Sequence, residues 1–85
     1  MKISIEISMY PLNEDFGKPI LDFINRLKSH SNLSVKTNSM STQVFGEYED
    51  VMTVLKSEME PVFAEKMKTV MVMKIINADL DYNFE

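Results

Sequence analysis

The first ten residues alternate strictly between apolar and polar side chains. The apolar positions are Ile3, Ile5, Ile7 and Met9. The polar positions between them are Ser4, Glu6, Ser8 and Tyr10, and Pro11 ends the run. Such alternation predicts a β-strand with one apolar and one polar face. The polar face carries hydroxyls, a carboxylate and a phenol, which are groups that a small-molecule site can use.

Apolar spacing along the rest of the chain predicts five further elements. Apolar residues recur with helical period over residues 16–27, beginning with Phe16. Pro19 places the start of regular helix near Gly17 or Lys18, because proline is tolerated only in a first turn. Residues 33–38 and 41–47 predict two short strands joined by a turn. Residues 51–63 form the apolar stripe of a second helix, and residues 69–76 are a near-continuous apolar run that predicts a strand buried on both faces.

The predicted order is strand, helix, strand, strand, helix, strand, which is typical of the ferredoxin-like α+β fold with a four-stranded antiparallel sheet. Right-handed crossovers place both helices on one sheet face and leave the other face open. The last strand and Phe45 make that open face apolar, and apolar faces of this kind are commonly interfaces. We therefore predict a homodimer or homotetramer stacked through its sheets.

Length and charge narrow the classes of protein. Eighty-five residues predict one domain over residues 1–77, followed by an acidic tail over residues 78–85. The net charge of −4 argues against partners with phosphate backbones and against anionic membranes. The absence of cysteine suits a reducing compartment, and no apolar run approaches the ~20 residues of a membrane span. We expect a soluble cytoplasmic protein.

Signals of catalysis or of metal binding are weak. The sequence contains no glycine-rich phosphate loop and no recognisable pair of nucleophile and base. The only arginine, Arg26, falls on the predicted solvent face of the first helix, and the only histidine, His30, falls at its end. We predict a protein that is not an enzyme, with no catalytic residue, no metal site and no cofactor.

Three segments together resemble a known family. They are residues 3–12, with the ending Tyr10-Pro11-Leu12, residues 38–47, with Met40-Ser41-Thr42 leading to Gly46-Glu47, and the valine-rich helix that follows. In order and spacing they resemble the small thiamine-binding protein family related to YkoF. The resemblance implies a ferredoxin-like fold, sheet-joined oligomers, and binding of thiamine or its hydroxymethylpyrimidine part without catalysis. Residue by residue it singles out Ser8, Tyr10, Ser41, Thr42 and Glu47.

The chemistry of thiamine is compatible with these side chains. An aromatic ring such as Tyr10 or Phe45 attracts the cationic thiazolium, and a carboxylate such as Glu6 or Glu47 accepts from the exocyclic amine. By parity Thr42 lies on the inward side with Val44, which makes it the weakest candidate. The predicted ligand-binding residues are Glu6, Ser8, Tyr10, Ser41, Thr42, Phe45 and Glu47.

Two functions of different classes follow. The leading hypothesis is a non-enzymatic binding protein for thiamine or its hydroxymethylpyrimidine moiety, with its site at or near a sheet-mediated interface. The alternative is a ligand-independent regulatory or structural self-association module, in which the open sheet face serves only assembly.

Overall fold

The computed structural model describes residues 1–82, and its six elements follow the predicted order. They are β1 (Lys2–Pro11), α1 (Gly17–Lys28), β2 (Ser34–Thr37), β3 (Thr42–Glu47), α2 (Tyr48–Phe63) and β4 (Thr69–Ile76). The strands form one sheet in the order β2-β3-β1-β4, and every neighbouring pair is antiparallel. This confirms the ferredoxin-like architecture predicted from the sequence.

The core lies between the sheet and the two helices. Ile3, Ile5 and Ile7 project from β1 toward the helices and are almost completely buried. They pack in one cluster with Phe23 and Leu27 of α1 and with apolar residues of α2. Burying each such side chain contributes about 1.5–3 kcal/mol. The alternation of β1 therefore fixes which sheet face meets the helices and leaves Ser4, Glu6, Ser8 and Tyr10 on the other, here named the open face.

The last strand differs from its prediction. The sequence predicts a strand buried on both faces, but in the structure neither face of β4 is fully buried. The strand pairs only with β1 and forms an edge of the sheet. On the open face Val70, Val72 and Ile76 are each about half exposed. Burial on both faces requires covering layers on each side, and no residue among 1–82 covers the part of the open face that carries Val70 and Val72. The prediction is therefore wrong for the single chain.

The C-terminal segment, residues 77–82, packs on another part of the open face. The Ser4 hydroxyl donates to the Ala78 carbonyl at 2.7 Å and accepts from the Leu80 N–H at 2.9 Å. Lys36 forms an ion pair with Asp81 at 2.7 Å, and this contact lowers the pKa of the aspartate. As predicted, Phe45 is on the open face, but it is only 7% exposed because this segment lies beside it. The rest of the predicted tail, residues 83–85, lies outside the described residues.

Candidate functional site

A cavity of about 440 Å³ lies at one end of the sheet. It is bounded by α1, by the C-terminal end of β1 with the loop that follows it, and by the turn of residues 38–41 between β2 and β3. We name it the end cavity. Its volume falls within the range of pockets that bind small molecules.

The inner surface of the end cavity is apolar and rigid. Ile7 and Phe23, both members of the core, form part of it. Met9, Ile20 and Ile24 complete this apolar surface between the sheet and α1. Because core side chains are held by close packing on their far side, this part of the cavity is formed before any ligand arrives.

The rim carries large apolar side chains that solvent reaches. Tyr10 and Leu12 at the end of β1, Phe16 before α1 and Met40 in the turn are each more than half exposed, and Met40 is 86% exposed. Single exposed apolar residues need no explanation, but a group of four around one cavity is typical of a binding site.

Hydrogen-bonding groups line the side formed by β2, β3 and their turn. The Asn38 Oδ1 atom accepts from the N–H groups of Met40 at 2.8 Å and Ser41 at 3.0 Å, which orders the turn. The hydroxyls of Thr37 and Thr42 lie 3.0 Å apart, and Thr42 is buried. The inward direction of Thr42, which made it the weakest candidate by parity, places it in the wall of this cavity. One side of the cavity can therefore donate and accept hydrogen bonds while the other is apolar.

Glu6 lies behind the polar side, on the open face. Its carboxylate accepts from the Ser41 hydroxyl at 3.0 Å and forms an ion pair with Lys74 at 3.2 Å. The hydrogen bond from Lys74, followed by that from Ser41, lowers the pKa of Glu6. Glu6 does not line the cavity and reaches it only through the Ser41 hydroxyl.

Two predicted site residues lie elsewhere on the molecule. The Phe45 ring is 5.7 Å from the Lys36 ammonium and lies beside the C-terminal segment. Glu47 forms an ion pair with the N-terminal amine at 3.0 Å, which lowers the pKa of its carboxyl group. Glu47 pairs with Lys2, at the opposite end of β1 from the end cavity. Lys2 is eight residues from Tyr10, which is about 26 Å along the strand. The structure thus brings together four predicted residues at the end cavity, Ser8, Tyr10, Ser41 and Thr42. It leaves the other three, Glu6, Phe45 and Glu47, outside the cavity.

Sequence reasoning missed the rest of the rim. The sequence places Phe16 in the apolar stripe of the first helix, but the regular helix begins one residue later and the Phe16 ring is exposed. Leu12 and Met40 belong to connections between elements, where core packing does not require an apolar residue. Apolar residues in two connections that meet at one end of the sheet were the signal that could have identified the rim.

A polar cluster elsewhere joins the two helices. Glu58 of α2 accepts from Arg26 Nε at 3.1 Å and lies 2.7 Å from His30 Nε2. The contact with His30 is the largest cause that lowers the pKa of Glu58. The sequence predicts that Arg26 lies on the solvent face of the first helix. In the structure it instead binds Glu58 of α2, because the two helices pack side by side. None of the three residues lines the end cavity.

Residues 1–82 contain neither a membrane-spanning helix nor a cluster suited to a metal ion. No helix there has the length and hydropathy required to cross a membrane. No group of three or more histidine, aspartate or glutamate side chains in this range is arranged to hold a metal ion.

Comparison with known proteins identifies the family. Residues 5–81 match the model of the family described as thiamine-binding protein, and the chain belongs to that family. No curated protein sequence matches the chain.

Solved structures share the fold. A hypothetical protein of Methanocaldococcus jannascii is 25% identical, with a TM-score of 0.76 over 98% of this chain and 87% of that one. A Streptococcus pneumoniae protein is 23% identical, with a TM-score of 0.82 over 94% of this chain and 90% of that one. A Thermotoga maritima protein, described as a candidate for thiamine biosynthesis or salvage, is 22% identical, with a TM-score of 0.69 over 86% and 82% of the two chains.

Proposed function

We propose that this member of the thiamine-binding protein family binds thiamine or its hydroxymethylpyrimidine moiety in the end cavity and does not transform it. The observation that carries the proposal is the cavity itself, with a rigid apolar side, a hydrogen-bonding side and an aromatic rim. The family description and the description of the Thermotoga protein support the ligand class.

The two sides of the cavity match the two properties of an aminopyrimidine. Its flat faces are apolar and pack against surfaces such as those of Phe23 and Met9, while its ring nitrogens and amine need partners in the plane of the ring. The side chains of Ser41, Thr42 and Asn38 supply such donors and acceptors along one wall. The ring therefore enters the cavity with its polar edge toward the turn of residues 38–41.

The thiazolium of thiamine then lies at the rim. Tyr10 and Phe16 offer exposed aromatic rings there. Attraction between a cation and an aromatic face contributes about 0.5–1 kcal/mol at exposed sites. The rim thus adds affinity for thiamine without requiring that its charge be buried.

We propose further that the chain forms a homodimer or homotetramer through its open face. In the sheet Tyr10 pairs with Val70, and Ser8 pairs with Val72. The side chains of Tyr10, Val70 and Val72, each about half exposed, therefore lie together on this face. The C-terminal segment covers another part of the same face, so the contact between copies uses the half near Tyr10. The same patch favours the alternative function, a self-association module that binds no ligand.

Calorimetric titration with thiamine and with hydroxymethylpyrimidine tests the proposal. Phe16→Ala should weaken binding of thiamine by about two- to fivefold, because it removes one rim ring that attracts the thiazolium. Leu21→Ala is the matched control, since Leu21 is equally exposed on α1 but does not line the cavity. If neither ligand produces heat or a thermal shift while light scattering shows an oligomer, the self-association module is the better account.

A further inference from the structure

We infer that Glu6 is a positioning residue for the end cavity: through the Ser41 hydroxyl it selects a pyrimidine with an exocyclic amine over one with an oxo group. The inference rests on the proposed function and names the hydrogen-bonding edge of the ring that the cavity accepts. An amine and an oxo group are nearly equal in size, so the direction of the hydrogen bonds is what separates them.

The side-chain amide of Asn38 is held in one orientation. Its Oδ1 atom accepts from the N–H groups of Met40 at 2.8 Å and Ser41 at 3.0 Å. Because the amide oxygen faces these two donors, the Asn38 Nδ2 group is directed away from them and can donate to a ligand. Asn38 lines the end cavity, so this part of the turn presents a donor.

The Ser41 hydroxyl is fixed in direction as well. It lies 3.0 Å from Glu6 Oε2, and an ionised carboxylate only accepts, so Ser41 donates its single hydrogen there. Hydrogen bonds from Lys74 and from Ser41 lower the pKa of Glu6, which keeps the carboxylate ionised at neutral pH. The Ser41 oxygen can then only accept from a ligand, whereas a hydroxyl without such a partner rotates to donate or to accept.

Together the two groups give the polar side of the cavity a defined pattern, with a donor at Asn38 and an acceptor at Ser41. A ring nitrogen next to an exocyclic amine presents the matching pattern, an acceptor beside a donor. An oxo group reverses both, since its oxygen accepts and the neighbouring ring nitrogen carries a hydrogen. The proposed function places the arm that bears the thiazolium at the rim, and this prevents the ring from turning over to restore the match.

The second pair of hydroxyls on this side of the cavity does not set the same preference. The hydroxyls of Thr37 and Thr42 lie 3.0 Å apart and either one can be the donor, so the pair adapts to a donor or to an acceptor. The selectivity is therefore assigned to the Ser41 hydroxyl and to the carboxylate that orients it.

The experiment measures binding of two probes to the full chain by calorimetry. The probes are hydroxymethylpyrimidine and its oxo analogue, in which a carbonyl oxygen replaces the exocyclic amine. The wild type should bind the amino form about tenfold or more tightly than the oxo form, because the reversed pattern sets donor against donor and acceptor against acceptor. Thiamine and its oxo analogue carry the same replacement and should show the same preference.

Three variants test whether Glu6 acts through Ser41. Glu6→Ala frees the Ser41 hydroxyl to rotate, so the preference for the amino form should fall by about fivefold or more. The Glu6 side chain is 38% exposed on the open face, so this change leaves the core intact. Lys74→Gln is the matched control: it removes the other partner of Glu6 but keeps the carboxylate beside Ser41, and the preference should equal that of the wild type. In a Ser41→Ala background, Glu6→Ala should leave the preference unchanged.

The outcomes separate this inference from the proposed function. If the amino form binds but the wild-type preference is less than about tenfold, or if Glu6→Ala weakens binding of both forms equally, the proposed function stands and the role of Glu6 is wrong. A change of preference on Glu6→Ala in the Ser41→Ala background would also overturn the inference, because Glu6 would then act by another route. If neither form binds to the wild type, the proposed function fails and the inference fails with it.

Discussion

Replacing Glu58 with glutamine should loosen the contact between the two helices. In the native protein this carboxylate accepts from Arg26 Nε at 3.1 Å and lies 2.7 Å from His30 Nε2. Glutamine keeps the shape but removes the negative charge. Both contacts then lose the charge-assisted part of their strength, and the Arg26 guanidinium loses its counter-ion.

The expected cost follows from the geometry and the exposure. A hydrogen bond to a charged group contributes about 1.5–3 kcal/mol, compared with about 0.5–1.5 kcal/mol for a neutral one. The Glu58 side chain is 15% exposed, whereas its two partners are about one-third exposed, so solvent screens part of the gain. We expect Glu58→Gln to lower the free energy of unfolding by about 1–2 kcal/mol at pH 7, with Tm lower by about 4–8 °C for each kcal/mol.

The pH dependence gives the sharper test. The pKa of Glu58 is lowered from its usual value of 4.5 in the folded state, so its stabilising contribution is present above that value and is lost as pH falls through the lower folded pKa. Urea unfolding of the wild type and Glu58→Gln should therefore converge in acid. Glu60→Gln, the same change at an exposed position of α2, serves as control. Equal stability at pH 7, or a gap that persists unchanged in acid, would refute the reasoning.

Three smaller perturbations test the packing by urea unfolding. Gly46→Ala should destabilise the protein by about 1–3 kcal/mol, because the added Cβ would lie 3.0 Å from a Leu33 methyl. Gly17→Ala is the control: its Cβ would meet no atom within 4 Å, so the stability should be unchanged or higher. Thr69→Val should stabilise by about 1 kcal/mol, since that hydroxyl is buried without a partner among the described residues; a loss would contradict this. Ser4→Ala should cost about 1–2 kcal/mol and speed hydrogen exchange at the Leu80 amide, and unchanged exchange would show that Ser4 does not hold the C-terminal segment.

The sequence was sufficient for the layer structure of the fold. The alternation of Ile3, Ile5 and Ile7 with polar residues determines which face of β1 meets the helices, because one register buries all three and the other exposes them. The start of α1 at Gly17 also followed from local chemistry, since Pro19 fits only the first turn.

The candidate site was only partly predictable. Ser8, Tyr10, Ser41 and Thr42 lie at the end cavity, but the rim depends on where the two connections meet in space. Hydropathy alone could not show that β4 is an edge strand, or that the C-terminal segment would lie beside Phe45. Both follow from sheet order and from long-range contacts, which a local pattern does not contain.

An amide-resolved NMR titration with hydroxymethylpyrimidine tests the central claim most directly. The account predicts saturable shifts that cluster at residues 10–16 and 37–42, the two connections around the end cavity, with little change at Glu47 or beside the C-terminal segment. The absence of shifts at saturating ligand, or a cluster centred on Phe45 and Lys74 of the open face, would contradict it.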